Sequence, residues 1–323
     1  MKYIFVTQIF NLEIPTALNR GKEIRPGARI TNNKEKILEI IDYPIFKENM
    51  GPFSYDEFTT SPGVHYIAAG EINAKEEVRD KVGNSLNFFF LREIQNFIYE
   101  LWKVRDNNVY IRDGFLLLYD KNIEDGYLYK ASVSAIISKS DLSEGTSKFT
   151  PSELDLVIQG WSHYEIDEDD YNIDKWKNPN DIVFRKRDDV TPKIRGFYNI
   201  VAANSSSLLP IKILFYCAAL EALFSYEKTD EISHKIAERV ALFIGKNTED
   251  KISIFSQVKK AYGIRSRVIH GSYFKDNELN GLAEVSKNLD NILRTVYTSP
   301  KLDELDLSDT VAFQQYFLLN IMS

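Results

Sequence analysis

In the last third of this 323-residue chain, one stretch reads Lys259-Lys260-Ala261-Tyr262-Gly263-Ile264-Arg265-Ser266-Arg267-Val268-Ile269-His270-Gly271. Laid on a helix, Ile254, Val258, Ala261, Tyr262, Val268 and Ile269 share one face. Arg265 falls in the middle of that face and Arg267 points the other way. A guanidinium inside an apolar stripe is costly unless it is paired or faces a cleft or a partner. His270 follows five residues later, directly before Gly271, a residue suited to closing a helix. A histidine, with an ordinary pKa of about 6.5, exchanges a proton near neutral pH. An arginine stays charged and grips two phosphate oxygens in a fork. The plainer reading of the same residues is an ion pair plus a helix-terminal histidine. Glu221 sits in an apolar stretch and needs a partner, and Arg265 and Arg239 are the candidates. A guanidinium locked in an internal carboxylate pair, with His270 far from any groove, would leave only a helical bundle.

Three blocks in order carry a family resemblance. Ala219-Leu220-Glu221-Ala222-Leu223-Phe224 comes first, then Glu231-Ile232-Ser233-His234-Lys235-Ile236-Ala237-Glu238-Arg239-Val240-Ala241, then Tyr262 with Arg265-Ser266-Arg267-Val268-Ile269-His270-Gly271. Together they resemble the ApeA-like branch of the HEPN superfamily, over about residues 190 to 300. The arginine–histidine spacing alone is a weak pattern; its combination with the two upstream blocks is far more specific. The resemblance implies a helical bundle that forms a homodimer and brings two Arg265/His270 pairs to a shared cleft. It also implies a metal-independent endoribonuclease with no cofactor. In that chemistry the RNA 2′-hydroxyl attacks the adjacent phosphorus, leaving a 2′,3′-cyclic phosphate. Relatives of this branch are associated with bacterial defence and toxin-like growth arrest. Ser266 departs from the Asn, Asp or His common after the arginine in catalytic members. It can hydrogen-bond but cannot act as a second proton carrier. The alternative is therefore a catalytically silent module that binds RNA or a nucleotide, or a dimerisation scaffold for a protein partner.

Around the pair, Lys251, Lys259, Lys260, Arg265 and Arg267 stand in a run without an acid. Lys259, Lys260 and Arg267 are candidate contacts to an RNA backbone, which would position it without reading sequence. Tyr262 is a candidate base-stacking residue, though packing inside the bundle is the plainer role. Ser266 and Glu221 are candidate supporting residues. His234, Glu238 and Arg239 read as a solvated or pairing helix face. The acids from Glu165 to Asp174, near His163, lack the glycine of a calcium loop and read as a solvated linker. His65 has no evident partner and reads as structural.

Composition sets the frame. Hydrophobic residues are 44% and charged residues 27%, enough apolar material for a sizeable core. The length suits two domains at roughly 150 residues each. Cys217 is the only cysteine, which excludes an intramolecular disulfide and a cysteine-based zinc site and fits a reducing, cytoplasmic setting. No apolar stretch has the ~20 residues of a membrane span, and the N-terminus lacks the apolar core of a signal peptide. The net charge of −7 argues against indiscriminate coating of nucleic acid. The charge is uneven, however: residues 191 to 300 hold 15 Lys and Arg against 11 Asp and Glu, a net of +4, leaving −11 on the rest.

The expected architecture is an α+β N-terminal module followed by an all-α bundle. The module (1–165) has antiparallel strands and one long helix. Tyr3-Ile4-Phe5-Val6 reads as a strand, 74–105 as the long helix, and 109–119 with 127–138 as an antiparallel pair. Gly51-Pro52 and Pro62-Gly63 read as turns. Thr150-Pro151-Ser152-Glu153 starts a short helix. An acidic linker (166–190) leads to the HEPN-like bundle (191–323), with helices near 192–205, 209–225, 231–245, 250–270, 281–297 and 309–321. The role of the first module is open; sensing a trigger or selecting substrate is the analogy-level expectation.

Overall fold

The computed structural model describes residues 1–60, 63–134, 136–161, 191–225, 232–305, 307 and 309–322. The expected linker, with His163 and the acidic run, lies outside the described residues. The described chain forms an N-terminal antiparallel sheet with a long helix, followed by a helical region. It divides into two compact units.

In chain order the first unit has β1 (Lys2–Phe10), β2 (Leu12–Glu13), β3 (Lys22–Arg25), β4 (Ala28–Thr31), α1 (Lys34–Ile41), α2 (Pro44–Met50), α3 (Pro52–Thr60), β5 (Val64–Glu71), α4 (Arg79–Val104), β6 (Tyr110–Tyr119), β7 (Tyr127–Ser132), β8 (Ser147–Lys148) and α5 (Pro151–Gly160). Six strands form one sheet in the order β3-β4-β5-β1-β6-β7, every neighbouring pair antiparallel. β1 is central and buried on both faces, since successive side chains alternate. Phe5 faces α4, its ring 5.0 Å from that of Phe90. Val6 faces the other way, into a cluster with Ile37, Ile41, Phe46, Phe58 and Phe115. Under α4, Arg25 and Glu93 form a buried pair with Nε 2.5 Å from Oε1, and Tyr66 donates to the other carboxylate oxygen at 2.6 Å. α5 begins with the expected capping box: Thr150 accepts from the Glu153 amide, and Glu153 accepts from the Thr150 amide.

The second unit contains α6 (Pro192–Asn204), α7 (Leu209–Phe224), α8 (Ile232–Ile244), α9 (Thr248–His270), α10 (Asp276–Leu279), α11 (Leu282–Tyr297), α12 (Lys301–Glu304) and α13 (Thr310–Met322). It also contains two short segments from earlier in the chain, Arg105–Asn107 and Ile137–Glu144. The expected strand 127–138 therefore ends at Ser132. Beyond it, the Ser138 amide donates to the Asn204 carbonyl at 2.8 Å, so the backbone bonds to the end of α6 rather than extending a ladder.

This strap, Ile137–Glu144, covers a buried polar network. Lys212 of α7 is fully buried and donates to the carbonyls of Ser138 (3.1 Å) and Ala203 (3.0 Å). Asp106 accepts from the Ser140 amide and hydroxyl, and Ser286 of α11 donates to the Ser140 carbonyl. Tyr216, one turn beyond Lys212, donates to Asn204 and to buried Asp290, which pairs with Arg294. Burial pushes the Lys212 amine down to about 8, against the pull of Asp106, Asp290 and Asp141. Asn204, the first residue of an Asn-Ser-Ser glycosylation pattern, is buried in this network.

Candidate functional site

α9 carries the candidate residues, and its ends explain where it starts and stops. Asn247 accepts from the Asp250 amide at 2.9 Å, and Glu249 and Asp250 occupy the first turn, which suits the positive end of the helix dipole. At the other end Gly271 adopts φ 68°, and the Ser272 amide closes onto the Arg267 carbonyl at 2.9 Å. A side chain with a Cβ resists that left-handed conformation.

Ile254, Val258, Ala261 and Tyr262 are buried, as the periodicity predicts. The stripe then runs out. Val268 is half-buried and Ile269 is 52% exposed. Tyr262 packs inside the unit, and its hydroxyl reaches the Cys217 carbonyl at 3.5 Å. Burial, and after it the nearby Cys217 and Glu221, push its ionisation up. It is not available to stack on a nucleobase. Cys217 is buried, and burial raises its thiol well above the usual range, so it is inert as a nucleophile.

Arg265 meets Glu221. Nη2 lies 3.1 Å from Oε1 and 3.4 Å from Oε2, and the guanidinium carbon sits 5.9 Å from the Tyr262 ring centre. The carboxylate pairing of the plainer reading is thus present. It is not internal: the side chains are 31% and 22% exposed. Oε1 also lacks a well-aligned hydrogen-bond donor. Arg239, the other candidate partner for Glu221, instead donates to the Phe224 carbonyl and faces the Phe313 ring at 5.5 Å.

His270 is exposed on the last turn of α9, and Ser266 is exposed one turn earlier on the same face. Five helical steps lead from Arg265 to His270, about 140° around the axis and about 7.5 Å along it. One copy of the helix therefore turns the guanidinium toward α7 and the imidazole toward solvent.

The candidate backbone contacts divide. Lys260 is exposed. Lys259 is half-buried and donates to the Ser233 hydroxyl at 3.1 Å. Arg267 is engaged in holding the loop that follows α9: it pairs with Glu278 of α10 at 2.6 Å and lies 5.7 Å from the Phe274 ring centre. Lys260, Gly263, Ile264, Arg267, Phe274 and Glu278 line a groove beside it. His234 is exposed with its ring 5.1 Å from that of Phe255. His65 is buried in the first unit, and burial pushes its imidazole down to about 4, so it stays neutral. Among the described residues, no group of His, Cys, Asp and Glu is placed to hold a metal ion. No helix there is long and apolar enough to cross a membrane.

Tyr273, 98% exposed two residues after Gly271, is the prominent feature that sequence reading passed over. Periodicity identifies buried positions and says nothing about a ring left in solvent. The only available signal was an aromatic in a post-helix turn.

No family model, curated protein or solved structure matches the chain.

Proposed function

We propose that the helical unit is a metal-independent endoribonuclease of HEPN type, acting as a homodimer in a cytoplasmic setting. The observation that supports it is the placement of Arg265 and His270. The guanidinium reaches the surface with an incompletely satisfied carboxylate beside it, and the imidazole is exposed on the same helix. The 140° between them suits a site shared by two copies, each supplying one pair. In the proposed reaction the 2′-oxygen forms a bond to phosphorus and the bond to the 5′-oxygen breaks. One imidazole takes the 2′-hydroxyl proton and the other, as imidazolium, protonates the leaving oxygen. Arg265 stabilises the charge that builds on the phosphoryl oxygens. Lys260 and Lys259 hold the backbone, Lys259 after exchanging its Ser233 contact. The resemblance extends the proposal to RNA damage in bacterial defence or toxin-like growth arrest, with the first unit responding to a trigger.

Two observations favour a silent module that binds RNA without cleaving it: Ser266 after the arginine, and the Glu221 carboxylate already occupying Arg265. The shared cleft itself is tested through the assembly; cleavage chemistry separates it from a silent dimer. Light scattering at micromolar concentration should give a dimer. In a Cys217→Ala background, His270→Cys copies should then be joined by a short bismaleimide. Monomers, or dimers that the reagent fails to join, would sink the shared cleft.

A further inference from the structure

We propose that Tyr273 is a stacking platform that seats an unpaired nucleobase on the loop that follows His270. The inference rests on the RNA reading above and adds to it. Among the large apolar and aromatic side chains described as exposed, Tyr273 is the most exposed, at 98%. Its backbone is nevertheless well held on both sides. Before it, Gly271 closes α9 and the Ser272 amide bonds to the Arg267 carbonyl. After it, Phe274 lies against Arg267, and the Lys275 amide donates to Glu278 at 2.9 Å, the same carboxylate that Arg267 pairs. The loop thus presents a ring that the described residues of the unit leave uncovered.

The surroundings say what should cover it. Three residues of chain span at most about 11 Å, so the Cα of Tyr273 lies within that distance of the Cα of His270. The helix leading to it carries five cations and no acid from Lys251 to Arg267; Arg265 and Arg267 are paired with Glu221 and Glu278, and Lys260 is exposed. A polyanion drawn to that helix brings its bases to the loop. Proteins read single-stranded RNA by stacking splayed bases on aromatic rings, and such stacking tolerates any base. A duplex has no free base to offer. The 2′-hydroxyl attack also needs a strand flexible enough to align the attacking oxygen, so one requirement serves both.

The test uses the full chain and two probes that cannot be cleaved, an unstructured 2′-O-methyl oligonucleotide and a blunt 2′-O-methyl duplex. Fluorescence anisotropy is measured for wild type, Tyr273→Phe and Tyr273→Ala, with light scattering on each. Phe should bind the single strand within about twofold of wild type. Ala should bind it roughly 5- to 150-fold more weakly, the range of one stacked base, with the salt dependence and the duplex affinity unchanged. Equal single-strand binding by Ala overturns the inference and leaves the RNA reading standing. Loss of the dimer in Ala overturns it too, assigning the ring to a protein contact. Wild type that binds neither probe defeats the RNA reading itself.

Discussion

Glu221 on α7 and Arg265 on α9 hold each other at 3.1 Å, at a place where both side chains still touch solvent. That exposure determines what the pair is worth. Ion pairs in contact with solvent contribute about 0–1 kcal/mol, and this partly buried one is a weak fastener for the fold. On the proposed function its stronger effect is on the guanidinium, which an RNA phosphate would have to take from the carboxylate.

Glu221→Gln should therefore leave urea stability within about 1 kcal/mol of wild type while tightening binding of an uncleavable RNA. Arg265→Lys should keep the charge and lose the fork, weakening RNA binding more than stability. Unfolding curves run beside anisotropy titrations check both. A Glu221→Gln protein that unfolds readily, with RNA affinity unchanged, would make the pair purely structural.

The buried pair in the first unit predicts the opposite. Arg25 of β3 and Glu93 of α4 are both buried, and removing one member leaves an uncompensated charge that costs about 3–5 kcal/mol. Glu93→Leu should lose that much in urea unfolding. Adding Arg25→Met should recover part of the loss. A loss under 1 kcal/mol in the single variant would contradict the burial described.

Lys212 gives a pH signature. Its folded pKa of about 8 lies below the ordinary 10.5. Between those values the unfolded chain still holds the proton that the folded protein has released, so stability rises with pH through that window. The penalty is present in full below pH 8 and relieved by about pH 10.5, on the order of 3 kcal/mol at 1.36 kcal/mol per pH unit. The stability difference between wild type and Lys212→Met should climb from pH 8 to 10.5; the tyrosines that titrate there are common to both proteins and cancel. A flat difference would mean that the strap does not bury the amine.

Lys260 and Arg267 should separate cleanly. Lys260→Glu should weaken RNA binding and lower the salt slope by about one without changing stability. Arg267→Ala should instead release Glu278 and Phe274, seen as faster amide exchange across residues 271–281. An unchanged salt slope in Lys260→Glu would remove that residue from the RNA path.

Much of the second half was legible because punctuation and periodicity agree there. Thr191-Pro192 marks a helix start, Gly271 marks an end, and the six expected helices fall within two residues of those observed. The first half was less legible. α2 and α3 both begin at a proline, and Gly51-Pro52, read as a turn, is the junction between them. Their partners are far away in sequence, as with Phe46 and Phe58 against Val6 and Phe115, and such pairings leave no local period. The strap escaped for a related reason: Ser138 and Ser140 are held by Asn204, Lys212, Asp106 and Ser286, none of which a strand-like run of residues foretells. At the candidate site, Arg265 and His270 are expected from type and spacing, and the structure places both on α9, about 140° apart around its axis. The occupation of Arg267 by Glu278 depends on a loop returning to the helix, which spacing does not encode.

The central claim is that Arg265 and His270 cut RNA without a metal. Purified protein incubated with total RNA in EDTA, with and without candidate triggers, tests it through the chemistry of the new ends. The account predicts 2′,3′-cyclic phosphates and 5′-hydroxyls from wild type, lost in His270→Ala and in Arg265→Ala while both variants stay folded and dimeric. Cleavage that persists unchanged in His270→Ala, or no cleavage by wild type under any trigger, would contradict it.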